Sequence, residues 1–179
     1  MYKVLGQKFF NRPALAVARG LLGKQLARRA GSKTIRLIIT EVEAYSGFSD
    51  RASHASRGKT ARNAPMFGEA GRWYVYFTYG MHWMLNAVTG GKEFPAAILI
   101  RGVKGINGPG RLTKRLNIDR KFNGKSITPK TGLWIEDAGI KVKKNQIKRT
   151  PRIGVAYAGP VWSKKPWRFI LVDVKKKTI

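Results

Sequence analysis

The strongest hydrophobic pattern in the chain is the run WYVYFTYGMHWMLNAVT at 73–89, which is interrupted only at Tyr79-Gly80. Dense aromatic and β-branched residues favour β structure, and glycine at the interruption favours a tight turn. The pattern therefore predicts two strands joined by a hairpin turn at Tyr79-Gly80. Along the first strand Tyr74 and Tyr76 alternate with their neighbours, so the two tyrosines are expected on one face.

Helical patterns are few. The stretch RPALAVARGLLGKQL predicts a helix, with Asn11 as its N-cap, Pro13 in its first turn, and leucine and valine at helical spacing after them. From Gly108, GPGRLTKRLNI predicts a glycine-rich turn that opens a short basic helix. The polar stretch SGFSDRASHASRGKTARNAPMF predicts a loop or a short helix.

Strand patterns are more numerous. ARRAGSKTIRL predicts a hairpin that turns at Gly31-Ser32, TIRLIITEVEAY predicts a mostly buried strand, and AAILIRGV from Ala96 predicts another. GLWIED, PRIGVAYAG and WRFILVDV predict further strands, and KKK at 175–177 predicts a solvated tail. Many strands and few helices predict an α+β fold, with one domain over 1–179 around a curved, mainly antiparallel central sheet and flanking helices.

Composition adds a large basic charge to this picture. The chain has 36 Lys and Arg against 9 Asp and Glu, a formal net charge of +27, and its 43% hydrophobic content separates it from disordered chains. The charge predicts a polyanionic partner, nucleic acid first and an acidic membrane surface second. No clear basic amphipathic helix supports the membrane alternative.

Cysteine and histidine counts bound the chemistry. With no cysteine and two histidines, the sequence predicts no disulfide, no metal site and no cofactor that depends on them. No window resembles a signal peptide or a bilayer-spanning run, so we expect a soluble intracellular protein.

The stretch EVEAYSGFSDRASHASRG places the acids Glu41, Glu43 and Asp50 and the histidine His54 in this basic chain. Glu41 and Glu43 share one face of a strand, where two carboxylates can form an acid/base pair. Alternatively one activates water while the other caps a helix or pairs with an arginine, and a simple salt bridge is open for each acid. Glu43 stands out because Tyr45 and His54 follow it, and such a group can hold a water beside a stacked planar ring.

Three further features allow two interpretations each. The tyrosine face of the hairpin fits core packing, whereas Tyr79 at the tip fits stacking on bases or wedging between them. Arg101 at the end of AAILIR either orients Glu43 and its water or caps a strand end. The GPG turn at 108–110 either offers backbone N–H groups to a phosphate or is a plain turn.

Together these pieces form one ordered set: EVEAY, SHASRGKTARN, MF, WYVYFTYGM, Asn86, ILIRGV, NGPGRLTKRL, and RIGVAYAG with PWRF. The set resembles the alkyladenine / 3-methyladenine DNA glycosylases, the methylpurine-DNA glycosylase family, over nearly the whole chain from LGQKFF to WRFIL. The resemblance implies a mixed α/β domain with a protruding β-hairpin, not a helix-hairpin-helix protein.

The resemblance also implies an activity. A DNA repair enzyme of this family, expected to act as a monomer, flips an alkylated or deaminated purine out of double-stranded DNA. It hydrolyses the N-glycosidic bond and leaves an abasic site for base excision repair. The implied lesions are 3-methyladenine, 7-methylguanine, hypoxanthine and ethenoadenine. The implied location is the cytoplasm or nucleoid of a prokaryote, or the nucleus of a eukaryote.

Residue roles follow from the resemblance where the motifs match. The resemblance implies that Glu43 is the catalytic acid that activates water and that Arg101 helps Glu43 to hold that water. Tyr45 and Tyr76 are implied to lie on either side of the extruded base, and His54 to hydrogen-bond it. Asn86 is implied to limit which exocyclic groups fit, and Tyr79 to intercalate into the duplex. A backbone carbonyl in RIGV completes the implied water site. Glu41 is implied to be a neighbour only, and His82 is treated as structural.

Departures and alternatives complete the prediction. Pro160-Val161 stands where the family often has an acidic residue after AG, which changes the expected loop. The family pattern contains no catalytic lysine, so we expect a monofunctional glycosylase without lyase activity, and no long N-terminal extension is needed for catalysis. The competing class is a non-catalytic basic, aromatic nucleic-acid-binding protein, which Glu43 with Arg101 disfavours. A deaminase is excluded because its zinc-binding pattern is absent.

Overall fold

Ten β-strands form the frame of the protein in the computed structural model, which describes residues 2–172. In chain order they are β1 (Lys3–Val4), β2 (Gln25–Ala30), β3 (Lys33–Ser46), β4 (Trp73–Thr78), β5 (His82–Val88), β6 (Ala96–Val103), β7 (Ile106–Asn107), β8 (Leu133–Asp137), β9 (Ile147–Thr150) and β10 (Arg168–Leu171).

Within residues 2–172, four short α-helices and several 3₁₀ turns connect the strands. The helices are α1 (Gln7–Phe10), α2 (Ala14–Leu21), α3 (Pro109–Arg115) and α4 (Gly159–Lys164). The 3₁₀ turns are His54–Arg57, Ala64–Phe67, Arg120–Phe122, Pro129–Thr131, Lys144–Gln146 and Ala156–Ala158.

The long strand β3 organises the sheet. The strand order is β1-β8-β2-β3-β6-β5-β4, with β10 pairing β3 and β9 and with β7 pairing β6, and all of these pairs are antiparallel. The first half of β3 pairs with β2, and its second half lies between β10 and β6. The predicted α+β fold with a mainly antiparallel central sheet is therefore confirmed. The GPG turn follows strand β7 and not a helix, which rules out a helix-hairpin-helix at this position.

Helix α2 covers one face of the sheet. Its buried residues Ala14, Val17, Ala18 and Leu21 follow the i, i+3, i+4, i+7 spacing of an amphipathic helix. These side chains join the main core with residues from β3 and β6, such as Ile39, Val42 and Ile98. The half of β3 that follows is thus anchored from below by packed apolar side chains.

The helix boundaries differ from the prediction at both ends. Asn11 is not the N-cap of α2 but closes α1 by donating its N–H to the carbonyl of Gln7, and Pro13 occupies the N-cap of α2. The helix ends at Leu21, because Gly23 has φ of +81° and lies against Val142. The remaining residues of the predicted helix, from Gln25, belong to β2.

Most predicted strands are present, with one clear exception. The turn at 31–32, the two strands meeting at 79–80, the strand from Ala96, the helix after GPG, and the GLWIED and WRFIL strands are confirmed. The predicted strand in PRIGVAYAG is wrong: Arg152 turns inward to a buried ion pair, and a 3₁₀ turn then leads into α4. Pro160 lies in the first turn of α4, and the lysine tail at 175–177 lies outside the described residues.

Candidate active site

A cleft with a volume of about 1210 Å³ lies between the 3₁₀ turn His54–Arg57, the β4–β5 hairpin, strand β6 and the segment 153–162. Aromatic side chains supply much of its wall: Tyr45, Phe48, Tyr74, Tyr76, Tyr79, Tyr157 and Trp162. Ligand pockets in proteins commonly measure about 300–1,000 Å³ and combine apolar walls with a few polar groups. The cleft therefore has the size and lining of a site for a flat organic ligand.

Glu43 lies directly beneath the floor of this cleft and is hydrogen-bonded to two residues that line it. On β3 it is paired with Arg168 of β10 on one side and with Leu99 of β6 on the other, and its side chain is wholly buried. Its Oε1 atom accepts a hydrogen bond from the backbone N–H of Ile153 at 2.8 Å. Its Oε2 atom accepts one from the Tyr45 hydroxyl at 2.9 Å. Both donors belong to residues that line the cleft.

The RIGV segment lies beside Glu43. The family resemblance implies that a backbone carbonyl of this segment completes a water site beside Glu43, and this stays a prediction. The atom of this segment that contacts Glu43 is the N–H of Ile153, a donor that holds the carboxylate itself.

Arg101 lies between the two strand carboxylates. Its Nε donates to Glu41 Oε1 at 2.8 Å and is 3.4 Å from Glu43 Oε1. Glu41 also accepts a hydrogen bond from Arg168 Nε at 2.7 Å. Glu41 is thus neutralised by two arginines, as expected for a partner in a salt bridge and not for one member of an acid/base pair.

Burial dominates the electrostatics of the floor. It raises the pKa of Glu43 above the ordinary value, and Arg101, the Ile153 N–H, the Tyr45 hydroxyl and Arg152 offset part of that rise. Burial and the neighbouring Glu43 raise the pKa of Tyr45 well above its usual range. Tyr45 consequently keeps its proton and remains the donor in the hydrogen bond to Oε2.

The opposite wall consists of His54, Tyr74 and Tyr76. The His54 ring packs edge-on against Tyr76 with centroids 4.6 Å apart, and its Nδ1 lies 3.0 Å from the Tyr74 hydroxyl. Burial and the cation of Arg62 lower the pKa of His54, so the imidazole is neutral at pH 7. Burial raises the pKa of Tyr76 to about 12, although the nearby Arg62 opposes this rise. This wall is therefore uncharged and aromatic.

The hairpin tip lies at the mouth of the cleft. Tyr79 and Gly80 both have positive φ, +51° and +63°, and the Met81 N–H donates to the Thr78 carbonyl, which makes a type I′ turn. This turn leaves 81% of Tyr79 exposed, in agreement with the predicted aromatic tip. Asn86, farther down β5, is buried, and its amide nitrogen donates to the Tyr74 carbonyl at 3.1 Å.

The structure thus brings all seven predicted residues to one place. Glu43 lies immediately beneath the cleft. The other six line it: Tyr45, His54, Tyr76, Tyr79, Asn86 and Arg101. Sequence reasoning missed the buried ion pair of Asp50 with Arg152 and the exposed Tyr157, whose hydroxyl donates to the Ala52 carbonyl. Asp50 and Arg152 are 102 residues apart, so no local pattern could have joined them.

Metal and membrane features are not apparent in residues 2–172. No group of three or more His, Cys, Asp or Glu side chains in this range is arranged to hold a metal ion. Within the same range no helix combines the length and the apolar character needed to cross a bilayer.

Comparison with known proteins identifies the family. The family model Methylpurine-DNA glycosylase (MPG) matches residues 8–107 and 104–175. Three relatives carry the name "Putative 3-methyladenine DNA glycosylase". One from Methanocella arvoryzae is 44% identical, over 93% of this chain and 91% of the relative. One from Anaeromyxobacter dehalogenans is 44% identical, over 93% and 83%. One from Wolbachia pipientis subsp. Culex pipiens is 42% identical, over 98% and 96%. The chain belongs to the methylpurine-DNA glycosylase family.

Proposed function

We propose that this DNA glycosylase excises alkylated or deaminated purines from duplex DNA by hydrolysing the N-glycosidic bond with a water that Glu43 activates. The observation that carries the proposal is the buried Glu43 carboxylate, held by Ile153 and Tyr45 at the floor of an aromatic cleft. A base inside a duplex is shielded by stacking, so the nucleotide must first be turned out of the helix. The candidate substrates are 3-methyladenine, 7-methylguanine, hypoxanthine and ethenoadenine.

The walls of the cleft suit a flat, electron-poor ring. Tyr45 and Tyr76 line it from β3 and β4, and an alkylated purine that carries positive charge binds well against aromatic faces. The Tyr74 hydroxyl can donate to Nδ1 of the neutral His54, which leaves the proton of that imidazole on Nε2 as a donor to the base. Asn86, held through its amide nitrogen, limits the exocyclic groups that fit.

Glu43 faces the positive charge that develops on the sugar. As the bond from C1′ to the base breaks, its electron pair leaves with the base, and the cationic sugar is stabilised by the carboxylate. Water then forms a bond to C1′ and gives its proton to Glu43. Oε2 is suited to this step, because it accepts one hydrogen bond from Tyr45 and retains a second acceptor position. Since Glu43 is fully covered in the unbound protein, entry of the nucleotide must displace the Tyr45 hydroxyl to admit the water.

The lining of the cleft supports a monofunctional enzyme. Glycosylases that also cut the strand use an amine nucleophile, commonly a lysine, that forms a covalent bond to the sugar. No lysine belongs to the cleft lining in the described range 2–172, although the protein is rich in this residue. All the proposed site residues come from one chain, so we infer that a monomer acts on double-stranded DNA.

Release of free base is the direct test. Duplexes that contain 7-methylguanine or hypoxanthine are incubated with the protein, and free base and abasic sites are measured in single-turnover reactions. Glu43→Gln is expected to lower the rate by at least about 100-fold while DNA binding is retained. Glu69→Gln, a change of an exposed carboxylate paired with Arg72, is the matched control and should leave the rate unchanged.

Two outcomes would contradict the proposal. Binding of damaged duplex by the wild-type protein without any base release would instead support the non-catalytic nucleic-acid-binding alternative. A covalent protein–DNA complex trapped by borohydride would demonstrate an amine nucleophile and overturn the monofunctional mechanism.

A further inference from the structure

Asp50 and Arg152 form an ion pair that the proposed mechanism does not use. Both side chains are wholly buried, and Arg152 donates from Nη1 and Nη2 to the two oxygens of Asp50 at 2.7 and 2.8 Å. Asp50 also accepts the backbone N–H groups of Ser46 at 3.2 Å and Ala52 at 3.1 Å. A buried charge pair is costly to desolvate, so one that makes so many directed contacts invites a role beyond stability.

Arg152 connects this pair to the floor of the cleft. Its guanidinium lies 4.6 Å from the centroid of the Tyr45 ring and 5.1 Å from that of Trp167, and its Nη1 donates to the Ala44 carbonyl at 2.9 Å. The next residue, Ile153, gives its N–H to Glu43. One arginine therefore fixes the back of the Tyr45 ring and the segment that orients the carboxylate.

We propose that Asp50 and Arg152 are positioning residues: Asp50 holds Arg152 behind Tyr45, and Arg152 thereby places the Ile153 N–H on Glu43 and sets the charge around that carboxylate. This inference rests on the proposed role of Glu43 in base excision. Neither residue touches the substrate in this arrangement, since both act through Tyr45 and Ile153.

Charge balance explains why the arginine needs its partner. A cation behind the Tyr45 ring repels a positively charged base on the other side of that ring, and Asp50 cancels this effect. Other charged or titratable groups also lie near Glu43, and none of them is changed in the test. They are Arg101 of β6, Tyr45 of β3, Tyr76 of β4, Tyr157 of the Ala156–Ala158 turn, and the pair formed by Glu41 and Arg168 of β10.

The test compares pH profiles of single-turnover excision for Asp50→Asn, Arg152→Gln and the double variant, with 7-methylguanine in duplex DNA. Excision needs ionised Glu43, so the rate rises with pH through the pKa of this residue. We call this rising part of the pH profile the acidic limb. Asp50→Asn leaves the charge of Arg152 uncompensated, which lowers the pKa of Glu43 and moves the acidic limb to lower pH by about half a pH unit. Arg152→Gln removes a cation and moves the limb up by a similar amount. The double variant lacks the uncompensated Asp50 carboxylate of Arg152→Gln, so its limb should lie below that of Arg152→Gln, but above the wild-type position because the Ile153 N–H is no longer held on Glu43.

The rates give a second signature. Arg152→Gln and the double variant should be slower than wild type by about 100-fold at the optimum, because the Ile153 N–H is no longer held in place. Asp50→Asn should lose more activity on cationic 7-methylguanine than on neutral hypoxanthine. A pair with only a structural role would lower the rates on both bases equally and leave the acidic limb in place, and that result would overturn the inference.

Failure of this inference is distinguishable from failure of the proposed function. If the wild-type protein releases no base, the proposed function fails. If it releases base but the limbs of the single variants do not move in opposite directions, only the positioning role fails. Should the variants not fold, hydrogen exchange in the wild-type protein decides: the amide of Ile153 should exchange at least about 100-fold more slowly than that of Gly154. Equal exchange would show that the segment is not held on Glu43.

Discussion

The carboxylate of Glu43 accepts a hydrogen bond from the backbone N–H of Ile153, with 2.8 Å between the nitrogen and Oε1. A backbone donor cannot rotate away as a side chain can, so it fixes Oε1 and with it the plane of the carboxylate. The second oxygen is held by the Tyr45 hydroxyl, which turns with its side chain. The two oxygens of Glu43 therefore differ: Oε1 is an anchor, and Oε2 is the atom that a ligand can uncover.

Replacement of Glu43 by glutamine should stabilise the protein. Burial raises the pKa of Glu43, so the folded state binds its proton more tightly than the unfolded state does. Ionisation of the buried carboxylate therefore lowers the free energy of unfolding. This loss is absent at a pH below the ordinary pKa of the unfolded carboxyl, and it is complete at a pH above the raised pKa of the folded state. We expect Glu43→Gln to increase the free energy of unfolding by about 0.5–2 kcal/mol at pH 8, and by less at pH 4.

Urea denaturation at the two pH values measures this difference. The control is Glu69→Gln, an exposed carboxylate whose replacement should change stability by less than about 0.5 kcal/mol at either pH. A Glu43→Gln variant that is less stable than wild type at pH 8 would show that the contacts of the carboxylate outweigh the cost of its burial.

Tyr79→Ser should separate duplex from single-stranded substrates. If Tyr79 fills the gap left by the flipped nucleotide, its loss slows excision from duplex by about 10- to 100-fold and hardly affects single strands, which have no stack to repair. The type I′ turn should survive, because Gly80 supplies one of its two positive φ angles and serine has little bulk. Tyr2→Ser, the same change at another exposed tyrosine, should alter neither rate. Equal losses on both substrates would argue against a wedge.

Local chemistry explains why part of the site was predictable from sequence. Glu43 and Tyr45 are two residues apart on a strand whose pattern is clear, so their shared face follows from the alternation of side chains, and a hydrogen bond joins them. Tyr79 beside Gly80 identified the hairpin tip in the same way, because an aromatic residue at a turn has little core to enter. Strand boundaries set by turns, such as Gly31-Ser32, were equally accessible.

Long-range pairing explains why the rest was not predictable. The apolar residues of PRIGVAYAG resemble a strand, but the conformation is decided by Arg152, which reaches 102 residues back to Asp50. The donor to Glu43 is a backbone N–H, which no residue type identifies in advance. Arg101 lies 3.4 Å from Glu43 but makes its shorter contact, at 2.8 Å, with Glu41. That preference depends on the distance between neighbouring strands, which sequence does not specify.

Asn86→Ala should relax the choice of base and weaken the fold. The Asn86 amide nitrogen donates to the carbonyls of Tyr74 and Met84, so its removal should cost about 1–3 kcal/mol of stability. The space vacated on the cleft wall admits an exocyclic group such as the 2-amino group of guanine, which hypoxanthine lacks. We therefore expect the rate of guanine excision, divided by the rate of hypoxanthine excision, to rise about tenfold. Competition assays on the two duplexes measure this ratio.

The matched control for this change is Asn123→Ala. Asn123 also hydrogen-bonds the backbone of β4, through Val75, but it is not among the residues that line the cleft. Its replacement should reduce stability without changing the ratio. A ratio that stays constant in Asn86→Ala would remove this residue from substrate selection.

Two arginines that line the cleft, Arg51 and Arg57, should account for part of the salt dependence of DNA binding. A cation that contacts a phosphate releases a counterion, so each alanine substitution is expected to reduce the slope of log K against log salt concentration by about 1. Arg57→Lys keeps the charge and should keep the slope.

Lys33→Ala is the matched control, since Lys33 begins β3 at a distance of roughly 33 Å along the strand from Glu43, and its loss should leave the slope unchanged. Fluorescence anisotropy on a damaged duplex between about 50 and 200 mM salt measures these slopes. If Lys33→Ala lowered the slope as much as Arg57→Ala, DNA would be held by the diffuse positive charge of the whole surface and not by the arginines that line the cleft.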